Sequence, residues 1–419
     1  MFLTIAIILP QQNILSKQED PIENPQLNYY ANSPNEFFNE TQNPRYALVT
    51  RFFGLIEYPN KANPSIIVYN ENLDIITTAS SSATGWNFSL HKSDLSQTLN
   101  IVSSKYENEK WYFETLPTQM EEGLYDLQLN CSEGDDYQTH AVKIVEDKTY
   151  PFTFVHISDT HFPAYDDEDL NTSDVNFVKF EKIKALNPDF IILTGDIMQG
   201  PTLYFFDPTT DKAMKGEIQL RLALWALDTL DLPVYYIHGN HEFSQSTMIP
   251  DIIEDNWYNY LGPIRYQNFT YLDWTMVGFG SSFEGLTSEE FQTVEQILAQ
   301  NSDEATILYY HYDFPLGNGH PTSFLNRYPI EVALYGHDHS EALYMQNSIL
   351  FHRQEPLFHN AFTLFEIVNE TSLTVKSQTY TFELIPYEPP TSKTGLTPIL
   401  VIFGLISYTI IRKRRKKKL

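Results

Sequence analysis

FTFVHISDTH (152–161), FIILTGD (190–196), VYYIHGNHE (234–242), TILYYHY (306–312) and EVALYGHDH (331–339) share one layout. In each, an apolar run ends and a carboxylate, an imidazole or an amide follows almost at once. Short apolar runs bounded by glycine and polar residues read as buried strands. Helical segments lie between some of them. Glu217 to Leu230 sets Ile218, Leu222 and Trp225 on one stripe, and Glu289 to Ala299 does the same with Phe291, Val294, Ile297 and Leu298. Strands that alternate with helices predict a layered α/β architecture.

In such a sheet the carboxyl ends of the strands share an edge, and ligand sites form there. Asp159, His161, Asp196, Asn240, His311, His337 and His339 would then converge. Carboxylate, imidazole and amide donors together suit divalent first-row metals better than calcium. A lone Asp-X-His after a strand is more often a cap or a turn. Five such strand ends in one chain shift the balance towards a metal site.

The order and wording of these motifs resemble the calcineurin-like metallophosphoesterase family: DTH at 159–161, GD at 195–196, GNHE at 239–242, His311, and GHDH at 336–339. The resemblance spans roughly Phe152 to Leu384. It implies a four-layer αββα sandwich over 150–385 and two divalent ions, with Mn, Fe and Zn all compatible with the donors. It also implies that Asp159, His161, Asp196 and His339 hold one ion, and that Asp196, Asn240, His311 and His337 hold the other. Asp196 would bridge the pair. Two metals about 3.5–4 Å apart can activate a bridging water, a metal-bridging hydroxide nucleophile, for in-line displacement at phosphorus. By the same analogy His241 serves the leaving-group oxygen, so His241 and Asp196 are the expected catalytic residues, and Glu242 orients a neighbour.

Two departures narrow the resemblance. Gly195-Asp196 continues with Ile197, Met198 and Gln199, without the tyrosine of purple acid phosphatases, and His161 is present where those enzymes lack it. The His311 motif reads HYDFP, without its usual neighbours. In the loop beyond it, His320 and Arg327 are candidates to reach substrate. His156, inside a strand, and His238 read as packing or supporting groups.

Upstream, residues 45–149 show short β-like runs (ALVTRFFGLIEY, SIIVYN, WNFSLH, KWYFETL, GLYDLQLN, THAVKIVE) with no helix between them. They predict an all-β, Ig-like sandwich of about one hundred residues. Residues 16–44 are a polar linker, and 386–393 a Pro-bearing one.

The ends of the chain suggest export and anchoring. Thr394 to Ile411 is uncharged and mostly apolar, and Arg412 to Leu419 carries seven positive charges. Eighteen such residues read as one C-terminal transmembrane helix, with the basic tail 412–419 cytoplasmic and the body outside the cell membrane. Residues 1–15 would serve as a signal segment, although no basic n-region precedes the apolar stretch. Acceptor sequons at Asn39, Asn87, Asn130, Asn171, Asn268 and Asn369 suit an exported glycoprotein but arise readily in so Asn-rich a chain.

The formal charge of the 419 residues is -27, and the basic tail makes the rest more acidic still. Such a body repels polynucleotides at long range, so no specific nucleic-acid binding is expected. The single cysteine, Cys131, excludes an intramolecular disulfide. The expected partners are a phosphoester substrate and, through the C-terminal helix, the membrane. Catalytically silent surface binding by the same fold, and a nucleotidase or nuclease, are the alternatives.

Overall fold

The computed structural model describes residues 44–162 (without 119), 172–199, 212–242, 257–280 (without 264), 286, 288–312 (without 302 and 303) and 325–379 (without 360 and 371). The signal segment, most of the 16–44 linker, His320, the linker at 386–393, the anchor 394–411 and the tail 412–419 lie outside them. Among the described residues no helix is long and apolar enough to cross a membrane.

Two sheets face each other in the second half of the chain. One runs in the order β12 (Val234–Ile237), β11 (Phe190–Thr194), β10 (Phe152–Ile157), β19 (Ala361–Asn369), β20 (Ser372–Thr379). The other runs β13 (Tyr266–Tyr271), β14 (Trp274–Phe279), β15 (Ala305–Tyr309), β16 (Ile330–Tyr335), β18 (Ile349–Arg353), β17 (Ala342–Gln346). The motif-bearing strands are parallel within each sheet: β10, β11 and β12 in the first, β15 and β16 in the second. Their carboxyl ends therefore open on one side. Such strands are covered on both faces, so they are apolar throughout rather than alternating. All five residues of β11 and all four of β12 are buried.

The layers follow from three apolar clusters. Phe154, Phe190, Ile192 and Phe365 of the first sheet meet Trp274, Met276, Ile307 and Leu334 of the second. On the outer face of the first sheet, Val155, Ile191 and Leu193 pack against helices α2 (Thr172–Leu186) and α3 (Lys212–Asp228). On the outer face of the second, Val277, Leu308 and Ala333 pack against Val294 and Leu298 of α4 (Ser288–Gln300). Helix, sheet, sheet, helix is the arrangement expected. In the stripe proposed for α3, Trp225 is buried and Leu222 packs on the cluster, while the side chain of Ile218 lies outside the described set.

The first half of the chain forms two more sheets around a shared core. One has β1 (Ile56–Tyr58), β3 (Leu73–Thr77), β7 (Lys110–Leu116) and β6 (Asn100–Glu107) in the order β1-β3-β7-β6. The other has β2 (Ser65–Val68), β9 (Gly134–Val145), β8 (Gly123–Cys131), β4 (Asn87–Lys92) and β5 (Leu95–Thr98), in that order. Ile75 and Phe113 from one sheet meet Phe88, Leu127 and Val142 from the other.

One element differs from the sequence reading. The run ALVTRFFGLIEY was expected to be a strand, but Pro44–Val49 forms helix α1 and only Ile56–Tyr58 is extended. Pro44 has no N–H to lose at the first helical position. Tyr46 and Val49, three residues apart, bury on one face within the cluster that holds α3. Arg45 of that helix pairs with Asp126 on β8 and Asp228 on α3, both at 2.6 Å, and so ties the two halves together. Helix α2 and strands β5 and β6 were also not foreseen. Helix α2 has only a faint apolar stripe and buries the polar Asn176 and Lys179. Strand β6 is exposed along its whole length.

Lys179 is 1% exposed and donates to the carbonyl of Leu357. Burial, aided by Lys182, pushes its ammonium down to about 6. Between that value and the ordinary lysine range only the unfolded chain holds the proton, so folding stability rises with pH above about 6. Lys179→Met is expected to flatten this rise by up to about 1.4 kcal/mol per pH unit, read from urea unfolding between pH 6.5 and 9.

Candidate metal centre

Each candidate ligand sits two to four residues past the end of its strand. The turns after β10 and β11 run side by side: Asp159 N–H donates to Gly195 C=O (3.1 Å), and His161 N–H donates to Asp196 C=O (3.0 Å). Gly336 N–H donates to His311 C=O (3.0 Å) and joins the turns after β15 and β16. His337 N–H donates to Asp159 Oδ2 (3.1 Å), which ties the second sheet's turn to the first.

These turns need unusual backbone. Asp159, His161, Asp196, His337 and His339 all have φ between 46° and 69°. Side-chain-bearing residues avoid this left-handed region, and such strain persists only where the surroundings over-determine it. Gly195, with φ 89°, marks one close approach: a Cβ there would stand 2.7 Å from Gly239 N and 2.8 Å from His311 Nδ1. At Gly336 a Cβ would collide with Ser158 and Asp159.

Three groups of side chains have ligand atoms within 4.8 Å of one another: Asp159, His161 and His339; His161, Asp196 and His241; and Asp196, His311 and His337. His339 Nε2 is 3.3 Å from Asp159 Oδ1, and His161 Nε2 is 3.6 Å from the same oxygen. Asp196 Oδ2 lies 3.1 Å from His311 Nε2 and 3.8 Å from both His161 Nε2 and His241 Nε2. Asn240 joins through Oδ1, 3.0 Å from His311 Nε2. The structure thus brings all seven candidate ligands and His241 to one place. Arg327 is not brought there by any described contact: it is exposed and pairs with Glu295 of α4 at 2.7 Å.

The donor set fits divalent cations. Asp159 and Asp196 are fully buried, and Asp159 Oδ1 and His161 Nδ1 have no hydrogen-bond partner. His161 Nε2 and His339 Nε2 face each other at 3.2 Å, where at most one proton can sit between them. His311 donates Nδ1–H to Thr194 C=O (2.7 Å), the backbone partner that typically fixes the tautomer of a metal-binding imidazole.

Charge reinforces that fit. Burial alone would raise both carboxyls, yet His161 and His339 hold Asp159 well below the usual carboxylate range, and His311 and His241 do the same for Asp196. Burial opposes a charge on His311, but Asp196 outweighs it and pushes the imidazole up to about 9. Burial and His311 lower His337, whereas the nearby Asp159 carboxylate raises His339.

Glu242 has the supporting role expected. Its carboxylate accepts from the N–H groups of Gly239 (2.6 Å), Asp196 (2.9 Å) and Met198 (3.1 Å), so it locks the turns after β11 and β12 together. Burial and the neighbouring Asp196 push it up to about 7. His156 bonds His352 at 2.8 Å and Thr194 Oγ1 at 3.0 Å, a polar string between the sheets, and His238 is buried. Phe358 and His359 beside the cluster were missed, because neither follows a motif strand and neither stands at a ligand spacing.

Residues 152–341 match the family model described as calcineurin-like phosphoesterase. Among curated proteins, the DNA double-strand break repair protein Mre11 of Methanococcus maripaludis is 32% identical over 100 residues, 22% of this chain and 24% of that protein. The match thus spans only about a quarter of that relative's length. The "Probable glycerophosphodiester phosphodiesterase GpdQ" of Arcobacter nitrofigilis is 25% identical over 224 residues, 47% of this chain and 75% of that protein. A solved structure from Staphylococcus aureus, provisionally designated a 5′-nucleotidase, overlays with a TM-score of 0.37 at 15% identity, covering 56% of each chain. The domain match and the curated relatives support the calcineurin-like phosphoesterase family for this part of the chain, a family that uses divalent metals.

Because Asp196 holds a proton on His311, a cation that binds His311 Nε2 must displace it. Loading with Mn2+ at pH 7 is expected to release about one proton from this residue, read by calorimetry in buffers of differing ionisation enthalpy. His311→Asn should abolish that release and weaken binding.

Proposed function

We propose that this protein hydrolyses phosphoester bonds with two divalent cations. Asp159, His161, Asp196 and His339 would hold one ion, and Asp196, Asn240, His311 and His337 the other. The observation that carries this reading is that the Asp159–His161–His339 and Asp196–His311–His337 groups adjoin, with Asp196 Oδ2 reaching both His161 (3.8 Å) and His311 (3.1 Å). When bound, the ions supply a nucleophilic water at neutral pH and offset the charge of an anionic ester.

The chain's own residues do the rest. His241 has Nδ1 anchored on the carbonyl of Gln199, and its backbone N–H donates to Asp196 Oδ1 (2.9 Å). With Nδ1–H committed to that carbonyl, the imidazolium form of His241, carrying a second proton on Nε2, would pass that proton to the departing oxygen. Glu242 keeps Asp196 and Asn240 in register and takes no part in bond breaking. We further propose that 45–149 is an Ig-like spacer, and that 394–411 anchors the body outside the membrane with the basic tail inside. The acidic body favours small phosphoesters over polynucleotides, although the Mre11 relative makes a nuclease assay worthwhile.

The test is hydrolysis of 4-nitrophenyl phosphate and its bis ester by the full chain across added Mn2+, Zn2+ and Fe2+. Asp196→Ala and Asn240→Ala should each lower kcat/KM by more than about 100-fold, beyond the loss typical of a supporting residue. His241→Ala should lower kcat by about 10²–10⁴ with unchanged metal content. Activity that survives both ligand substitutions would refute the assignment.

A further inference from the structure

Beyond β18 the chain passes through a 3-10 turn, Leu357–His359, and brings two rings to the mouth of the metal centre. Phe358 stands edge-on to His161 (centroids 5.5 Å, 75°) and to His339 (5.7 Å, 81°). His359 packs against Phe358 at 4.4 Å and lies 6.3 Å from His339.

We propose that Phe358 and His359 form the subsite for the organic group of the phosphoester, and that this group is a flat aromatic ring. The proposal rests on the hydrolytic reading above and deepens it.

Three observations carry it. First, the turn changes character within one residue. Leu357 is fully buried in the core with α2, whereas Phe358 is only half-buried outside that core and His359 has a side chain 48% exposed. Second, these rings stand beside His339, whose side chain is 40% exposed, while Asp159, Asp196 and His311 are sealed. Third, the turn is held rigidly from two sides. Leu357 N–H donates to Ser158 C=O (3.0 Å), next to Asp159, and Leu357 C=O accepts from the buried Lys179. A lysine taken out of water to hold one carbonyl makes sense where the position of the next two side chains matters, because a binding wall is useful only when fixed against the reacting centre.

An aromatic group on a phosphorus held beside His161 and His339 would meet Phe358 within the 4.5–7 Å at which offset or edge-to-face ring pairs attract. His359 adds a polar edge: its Nδ1 is 3.8 Å from Glu355, beyond a hydrogen bond, which leaves the ring able to engage a substituent of the substrate.

The test uses phosphonates, which present the same anionic head on a carbon that cannot be hydrolysed away. Phenylphosphonate and methylphosphonate are titrated calorimetrically into the full chain loaded with Mn2+, with metal content measured in every sample. The wild type is expected to bind the phenyl compound roughly three- to tenfold more tightly, the range of one aromatic contact. Phe358→Ala and Phe358→Leu should bring the two affinities within about twofold by weakening only the phenyl compound, Phe358→Tyr should keep the preference, and His359→Ala should reduce it. The proposal is overturned if the wild type shows no preference or if Phe358→Ala retains it. Equal loss of both ligands and of metal in Phe358→Ala also overturns it, since Phe358 would then only support His161 and His339. Binding of methylphosphonate without a phenyl preference removes this proposal alone. Failure of both ligands to bind the wild type removes the hydrolytic reading with it.

Discussion

Two carboxylates, Asp159 and Asp196, lie in the interior at the strand ends, and their negative charge is the constraint that the surrounding structure answers. Ionised carboxylates are costly to bury without compensation. Here His161, His241, His311 and His339 surround them, and backbone N–H groups of His241 and His337 reach their oxygens. Yet Asp159 Oδ1 still has no hydrogen bond, and two imidazole nitrogens point at each other. Full compensation calls for cations.

That convergence explains why the turns tolerate strain. Five candidate ligands adopt left-handed backbone, which no local preference would sustain at five places. The parallel strands β11 and β12 beneath are buried throughout, and Glu242 clamps three N–H groups from two neighbouring turns. Removing side chains at Gly195 and Gly336 lets the turns approach more closely than any larger residue would permit. Electrostatics and backbone geometry thus meet in one place: the left-handed turns carry the donors, and the buried carboxylates among them favour positive charge.

The two halves of the chain meet at helix α1 and at the segment around Lys61 and Ala62. Arg45 lies between Asp126 and Asp228, Lys61 donates to Val49 C=O (2.6 Å), and Ala62 C=O accepts from Tyr236 N–H (3.1 Å) on β12. The strand carrying Asn240 and His241 at its end is therefore braced by the N-terminal half.

Much of the site was legible in the sequence, because a strand covered on both faces must be apolar throughout. The point where FIILT gives way to Gly195-Asp196, or VALY to Gly336-His337, therefore marks the strand end directly. The same logic failed where local pattern and burial part company. Helix α1 contains the β-favouring Tyr46 and Val49, but their packing on α3 selects the helix; α2 carries its polar Asn176 and Lys179 inward, which hides its stripe. Phe358 and His359 follow no motif and stand near His161 because Leu357 is tied to both Ser158 and Lys179. The sequence by itself determined which residues end strands and which donors they present, since strand burial is written in composition. Only the tertiary structure decided the distances among those donors, the rise in His311 basicity beside Asp196, and the placement of Phe358 against His161 and His339. Those depend on residues far apart in the chain meeting in space.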